Sequence, residues 1–207
     1  MTRLAISILI GLGLTAPTMA DEQIDLAVAL SNLSASTVVE QEAPEAAGAF
    51  DAGSWVGYAI ASARFADDDA DLYDGRVAFG YYFLDNVAIN AELTGGYAKV
   101  YDDSRQDAGF GDLEVLFRWH FAGEPGWSLY FDGGAGIMQS TLSIPDEGTH
   151  FNFVLSAGLG ATIDLNDRLK LMGGARYVHM SNARMRGSNR NPGWDGMMLY
   201  LGLMLTF

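Results

Sequence analysis

The sequence has 207 residues, a formal net charge of -14 at pH 7 and no cysteine. This excess of negative charge excludes nucleic acid as an expected partner. Because there is no cysteine, stability has to come from packing and backbone pairing rather than from a disulfide framework.

The first twenty residues are typical of a secretory signal peptide. Met1-Thr2-Arg3 precedes the apolar run Leu4 to Leu14. The segment Ala16-Pro17-Thr18-Met19-Ala20 follows with a small-residue cleavage site, and we expect cleavage after Ala20. Residues 21–53 form a polar lead-in that we leave unassigned. No later stretch offers the roughly 18 uninterrupted apolar residues that a spanning helix needs, so the sequence argues against a helical membrane protein.

From Trp55 onward the apolar residues recur with a period of two, which indicates β-strands with one apolar face. In the clearest segment, five apolar residues alternate with a mostly polar set: Leu113, Val115, Phe117, Trp119 and Phe121 against Asp112, Glu114, Leu116, Arg118 and His120. The pattern predicts eight strands, at 55–65, 76–83, 87–94, 112–121, 127–137, 151–163, 169–181 and 197–207.

The connections between these strands predict the topology. Tight turns at 84–86, 123–126 and 166–168 alternate with longer polar loops at 66–72, 102–109, 139–149 and 182–194. Outer-membrane barrels have short periplasmic turns, long external loops and commonly a terminal aromatic residue, here Phe207. We therefore expect an all-β fold, an eight-stranded antiparallel transmembrane β-barrel over residues 54–207, in the bacterial outer membrane.

A soluble barrel or sandwich would also alternate apolar and polar residues, with its apolar face turned inward. Charged residues of both signs argue against that alternative, because they fall at mid-strand positions opposite the apolar face. Inside an eight-stranded barrel such side chains have just enough room to pair. These residues are Glu92, Glu114, Arg118, Asp132, Lys170 and Arg176.

Two polar residues break the apolar face of the seventh strand near its external end. His179 and Ser181 share the outward parity and lie about 7 Å apart along the strand. Across the last loop, Asp195 has the same parity. Polar groups that face hydrocarbon are costly, so chemistry is the first explanation to test. The alternative, which the spacing alone favours, is that they are interfacial polar residues near a loop.

These three groups are the parts of a nucleophilic relay. Ser181 would attack an acyl carbon, His179 would take its proton and Asp195 would orient the imidazole. The side-chain amide of Asn182 and the backbone N–H of Ala183 are the candidate donors to the oxyanion.

The segment Gly173-Gly174-Ala175-Arg176-Tyr177-Val178-His179-Met180-Ser181-Asn182-Ala183, followed by Asn191-Pro192-Gly193-Trp194-Asp195-Gly196, resembles the outer-membrane lipid A 3-O-deacylases, also called acyloxyacyl hydrolases. The resemblance implies a carboxylic ester hydrolase that removes the 3-O acyl chain of lipid A. It implies that His179 is the base and Ser181 the nucleophile. The family's acid is a Glu after a Gly and an apolar residue; here Asp195, one methylene shorter, has that position.

The loop beyond Ser181 is basic in an otherwise acidic chain. Arg184, Arg186 and Arg190 lie within seven residues. Arginine binds phosphate well through its forked donors, which suggests binding of the lipid A phosphates. The alternative is that these arginines anchor the barrel to any anionic headgroup.

The expected partners are therefore lipopolysaccharide as substrate and the surrounding outer-membrane lipids. We expect no cofactor and no metal site, since the His and acidic residues have no matched ligand spacing. The sequence leaves a homodimer open. The rival functions are a non-enzymatic structural or channel-type barrel and, among enzymes, a phospholipase of the same leaflet.

Overall fold

The computed structural model describes residues 49–66, 70–101, 106–187 and 190–207. The predicted signal peptide, 1–20, and residues 21–48 of the lead-in lie outside the described residues. No helix among the described residues is long and apolar enough to cross a membrane.

Eight strands form a closed antiparallel barrel in which each strand pairs with its neighbours in the sequence and β1 pairs with β8. This confirms the predicted fold. The strands are β1 (Trp55–Phe65), β2 (Ala70–Leu84), β3 (Val87–Val100), β4 (Ala108–Glu124), β5 (Trp127–Ser140), β6 (Phe151–Asp164), β7 (Leu169–Ser181) and β8 (Trp194–Thr206).

Several strands extend further toward the long loops than their apolar pattern predicts. β2 begins at Ala70, which pairs with Val100 of β3, although the sequence pattern assigns residues 66–72 to a loop. β8 likewise begins at Trp194, three residues before the predicted start. The backbone ladder needs no apolar side chains, so it continues past the point where the alternation fades.

The barrel is apolar outside and charged inside. Leu113 and Leu159 on the outer wall are 49% and 60% exposed, whereas Arg118 and Arg176 are fully buried. An aqueous environment would favour the reverse arrangement, and an outward apolar band suits a lipid environment. The soluble alternative is therefore excluded.

Most of the interior charges form one ion-pair network, whereas Lys170 pairs separately with Asp164 at 2.5 Å. Arg176 contacts Glu92 at 2.9 Å and Asp132 at 2.7 Å, and Arg118 contacts Asp132 at 2.7 Å. The Arg118 guanidinium also lies 4.4 Å from the ring centroid of Tyr130. The pairing of mid-strand charges inside the barrel is thereby confirmed, and it offsets part of the cost of burying them. Some atoms, such as Arg118 Nη1, are buried without a hydrogen-bond partner among the described residues.

The two ends of the barrel differ. One end has short connections, such as that around Gly126, which has a φ of 104°. The other end has the longer connections, including residues 141–150 and 182–193. β7 ends, and β8 begins, at the long-loop end.

Candidate active site

The end of β7 presents His179 and Ser181 on the outer wall, because the residues between and before them point inward. Val178 and Met180 are 1% and 0% exposed. In the antiparallel register of β7 and β8, His179 lies directly opposite Asp195. Two adjacent strands thus bring three polar groups together at one level of the outer wall.

The three side chains are in continuous hydrogen-bond contact. His179 Nε2 lies 3.2 Å from Ser181 Oγ, and His179 Nδ1 lies 2.8 Å from Asp195 Oδ1. The side chains of His179 and Asp195 are 36% and 53% exposed on the outer surface. A hydroxyl, an imidazole and a carboxylate in this order have the geometry of a nucleophile, a general base and an orienting acid.

The start of β8 explains how the short Asp195 side chain reaches the imidazole. Gly193 has a φ of 78°, and a methyl group added there would lie 3.7 Å from His179 Cε1. The next residue, Trp194, is buried, and its indole N–H donates to the Ala70 carbonyl at 3.0 Å. The chain therefore enters β8 close to the imidazole and is anchored there, so that Asp195 lies opposite His179.

Tyr177 is a fourth member of the cluster, and it is not among the site residues predicted from the sequence. Its hydroxyl donates to Asp195 Oδ1, the same oxygen that contacts His179 Nδ1. Tyr177 shares the outward parity of His179 and precedes it by two residues, which is the signal that would have identified it.

Asn182 lies in a different environment from the triad. It is 2% exposed, and its side-chain amide donates to Thr149 Oγ1 at 3.1 Å and to the Arg190 carbonyl. Both amide hydrogens are thus engaged in tying two loops together. The side-chain amide that the sequence suggested as an oxyanion donor therefore has other partners in this structure.

The chain turns sharply after Asn182. Ala183 and Arg184 have φ values of 51° and 62°, and Met185 N–H donates to the Asn182 carbonyl at 3.1 Å. Positive φ at both central residues is the signature of a type I′ turn. Within the described part of the chain, the N–H groups of Ala183 and Arg184 have no hydrogen-bond acceptor.

The three loop arginines do not have the same surroundings. Arg186 and Arg190 line a cavity of about 540 Å³ between the two long loops, and Arg184 does not. Arg190 Nη2 lies 3.4 Å from the Gly148 carbonyl of the facing loop. The predicted basic cluster is thus divided between a cavity and the open surface.

Apolar side chains surround the three polar groups. On β6, Phe153 lies opposite Ser181 and Leu155 lies opposite His179, while Met197 follows along β8. All three are exposed on the outer wall. This surface suits an acyl chain that lies along the barrel.

A second His–Ser pair lies inside the barrel near the short-turn end. His120 Nδ1 lies 2.8 Å from Ser128 Oγ, and His120 Nε2 lies 2.9 Å from the Tyr82 hydroxyl. Phe50 stacks on the imidazole at a centroid distance of 3.9 Å. Since the second ring nitrogen contacts a tyrosine rather than a carboxylate, this pair lacks the acid of a relay.

The described residues contain no group of three His, Asp or Glu that could hold a metal ion.

Comparison with known proteins gives one family match. Residues 73–204 match the family model described as lipid A 3-O-deacylase (PagL). No curated protein matches the sequence significantly.

Solved outer-membrane barrels share the fold at low sequence identity. Neisserial surface protein A (NspA) is 14% identical, with a TM-score of 0.56, over 74% of this chain and 96% of its own. OprG from Pseudomonas aeruginosa is 14% identical, with a TM-score of 0.52, over 77% and 98%. The outer membrane enzyme PagL is 17% identical, with a TM-score of 0.51, over 71% and 97%.

Proposed function

The chain is a bacterial outer-membrane β-barrel that belongs to the lipid A 3-O-deacylase family, and from this membership we propose that it is a serine esterase. Its substrate is the 3-O-linked acyl chain of lipid A in the outer leaflet. The observation that carries the proposal is the continuous contact from Ser181 through His179 to Asp195 on the lipid-facing wall.

The first half of the reaction acylates the enzyme. Ser181 Oγ attacks the ester carbonyl carbon while its proton passes to His179 Nε2. His179 Nδ1 keeps its proton and donates a hydrogen bond to Asp195 Oδ1, because an ionised carboxylate only accepts hydrogen bonds. The ester C–O bond then breaks, the acyl group stays on Ser181, and Nε2 returns the proton to the sugar oxygen that leaves.

The second half releases the fatty acid. A water molecule attacks the acyl-serine carbonyl and gives its proton to His179 Nε2. Collapse of this intermediate breaks the bond between Ser181 Oγ and the carbonyl carbon. The proton returns to Oγ, and the free fatty acid leaves into the membrane.

Each tetrahedral intermediate carries an oxyanion that needs donors. In our proposal these are the backbone N–H groups of Ala183 and Arg184, which begin the turn next to the nucleophile. Asn182 contributes by holding that turn between the two loops rather than by donating its side-chain amide.

A position on the outer wall lets the substrate arrive by lateral diffusion within the leaflet. The acyl chain then lies against Phe153, Leu155 and Met197 and never has to leave hydrocarbon. The phosphates of lipid A remain at the surface, where Arg184, Arg186 and Arg190 attract them.

The test is mass spectrometry of lipid A after incubation of lipopolysaccharide with the purified protein. We expect loss of one ester-linked acyl chain with the wild type. Ser181→Ala or His179→Ala should lower the rate by about 10⁴-fold or more. Ser128→Ala is the matched control, because it removes the hydroxyl of the other His–Ser pair and should leave the activity of the folded protein in place.

Circular dichroism and thermal unfolding of each variant establish that it is folded. Deacylation by a folded Ser181→Ala variant would refute the role of the nucleophile. Unaltered lipid A with the wild type would favour a non-enzymatic barrel. Release of fatty acid from phosphatidylethanolamine but not from lipopolysaccharide would make the protein a phospholipase instead.

A further inference from the structure

The cavity between the two long loops has two walls. Gln139, Thr149, His150 and Phe151 form the wall on the β5–β6 side, and Asn182, Met185, Arg186 and Arg190 form the other. Its volume of about 540 Å³ falls within the range of small-molecule sites.

The cavity adjoins the nucleophile. Ser181 pairs with Phe153 on β6, and Phe151, which lines the cavity, lies two residues along the same outer face. Two residues of strand correspond to about 7 Å. The rings of Phe151 and Phe153 are in edge-to-face contact, with centroids 5.4 Å apart.

The charge of the cavity is opposite to that of the protein. Its described lining includes Arg186 and Arg190 and no carboxylate, in a chain of net charge -14. Arginine presents five N–H donors in a planar fork that matches phosphate. Gln139, Thr149 and His150 add polar side chains that can hydrogen-bond to hydroxyl groups.

The walls of the cavity are connected to each other. The buried Asn182 amide joins Thr149 of one loop to the Arg190 carbonyl of the other, and Arg190 Nη2 approaches Gly148 at 3.4 Å. Such cross-links preorganise the site, which lowers the entropic cost of binding.

We propose that this cavity is a subsite for the phosphorylated sugar headgroup of the lipid whose acyl chain lies at Ser181. Arg186 and Arg190 bind the phosphate, and Gln139 and His150 contact the sugar hydroxyls. This inference rests on the proposed function and adds a specificity: the headgroup in the cavity fixes which ester reaches the nucleophile. Arg184, outside the cavity, adds only diffuse attraction.

The experiment compares deacylation of phosphorylated and dephosphorylated lipid A in detergent micelles. We expect the wild type to prefer the phosphorylated lipid in kcat/KM by about tenfold or more, because the phosphate contributes charge-assisted hydrogen bonds. Arg186→Gln combined with Arg190→Gln should abolish this preference, and Arg184→Gln should reduce it less. Arg168→Gln, at the short-turn end, is the control for loss of one positive charge.

A binding measurement separates recognition from catalysis. The Ser181→Ala variant should bind phosphorylated lipid A more tightly than dephosphorylated lipid A. Adding Arg186→Gln and Arg190→Gln to this variant should remove the difference in affinity. Phosphatidylglycerol, which has a phosphate but no amino sugar, should compete weakly.

Three results would overturn the subsite. The first is equal rates of the wild type on both lipids. The second is a loss of the preference for phosphorylated lipid A in Arg184→Gln as large as that in the Arg186→Gln, Arg190→Gln double variant. The third is competition by phosphatidylglycerol as strong as that by phosphorylated lipid A. A wild type that deacylates neither lipid would instead contradict the proposed function. The two failures are therefore distinguishable.

Discussion

At the scale of single residues, the notable feature is an Asp where the family pattern has a Glu. The shorter arm is offset by position, because Asp195 lies directly opposite His179 in the strand register and reaches Nδ1 at 2.8 Å. Tyr177 donates to the same carboxylate oxygen. Two donors on one oxygen fix the carboxylate more firmly than one, and this positioning is the role we assign to Tyr177.

We predict that Tyr177→Phe lowers kcat about tenfold and leaves KM nearly unchanged. The substitution removes one hydrogen bond to the carboxylate but keeps the ring that lies on the outer wall. Steady-state kinetics on lipopolysaccharide measure both constants, and the pH profile of kcat should change as well, because the carboxylate orients the general base.

Tyr97→Phe is the matched control, since Tyr97 also lies on the outer wall but stacks on Tyr73, away from the triad. It should leave kcat and the pH profile unchanged. Equal kinetics for Tyr177→Phe and the wild type would mean that the hydroxyl does not position Asp195 during turnover.

At the scale of elements, the entry into β8 decides whether the triad is assembled. Gly193 has a φ of 78° and lies beside the imidazole, and Trp194 fixes the strand to the Ala70 carbonyl. The backbone conformation at Gly193 and the anchor at Trp194 thus determine where the Asp195 carboxylate lies relative to His179. Small backbone displacements there should affect catalysis more than folding.

We predict that Gly193→Ala destabilises the barrel by about 1 kcal/mol and lowers kcat about tenfold or more. A residue with a Cβ is strained at positive φ, and a shift of the strand start moves the carboxylate away from His179. Gly126→Ala is the control, because Gly126 has a φ of 104° but lies in the turn between β4 and β5. The Gly126→Ala variant should show a similar decrease in the free energy of unfolding, measured by urea titration, and should keep the kcat of the wild type. A parallel loss of kcat in both variants would contradict this interpretation.

At the scale of the whole molecule, most of what the sequence predicts depends on whether a residue has an odd or an even position in its strand. Side-chain direction in a strand depends only on odd or even position, so the barrel and the outward direction of His179 and Ser181 can be predicted. The same rule turns Asn182 inward, although the polar pattern assigns it to the loop at 182–194. Odd or even position does not show which residues of different strands lie at the same height in the barrel, that is, the stagger between strands. The contact of Arg176 with Glu92, 84 positions away, could therefore not be predicted.

This stagger is what lets a few charges hold the barrel together. Arg176 on β7 contacts Glu92 on β3 and Asp132 on β5, so one side chain connects three strands across the interior. Arg118 shares Asp132 with it. Since all these groups are buried, removal of one leaves its partners undersatisfied in a region of low dielectric constant.

We predict that Arg176→Ala lowers the free energy of unfolding by about 3 kcal/mol or more, because Glu92 and Asp132 lose their shared partner and a cavity remains. Urea titration of the protein in detergent micelles, followed by tryptophan fluorescence, measures the change. Arg168→Ala removes an exposed arginine at the short-turn end and should shift stability by no more than about 0.5 kcal/mol. If both variants unfolded at the same urea concentration as the wild type, the network would not be what stabilises the barrel, and its stability would have to come from the backbone ladder and the apolar wall.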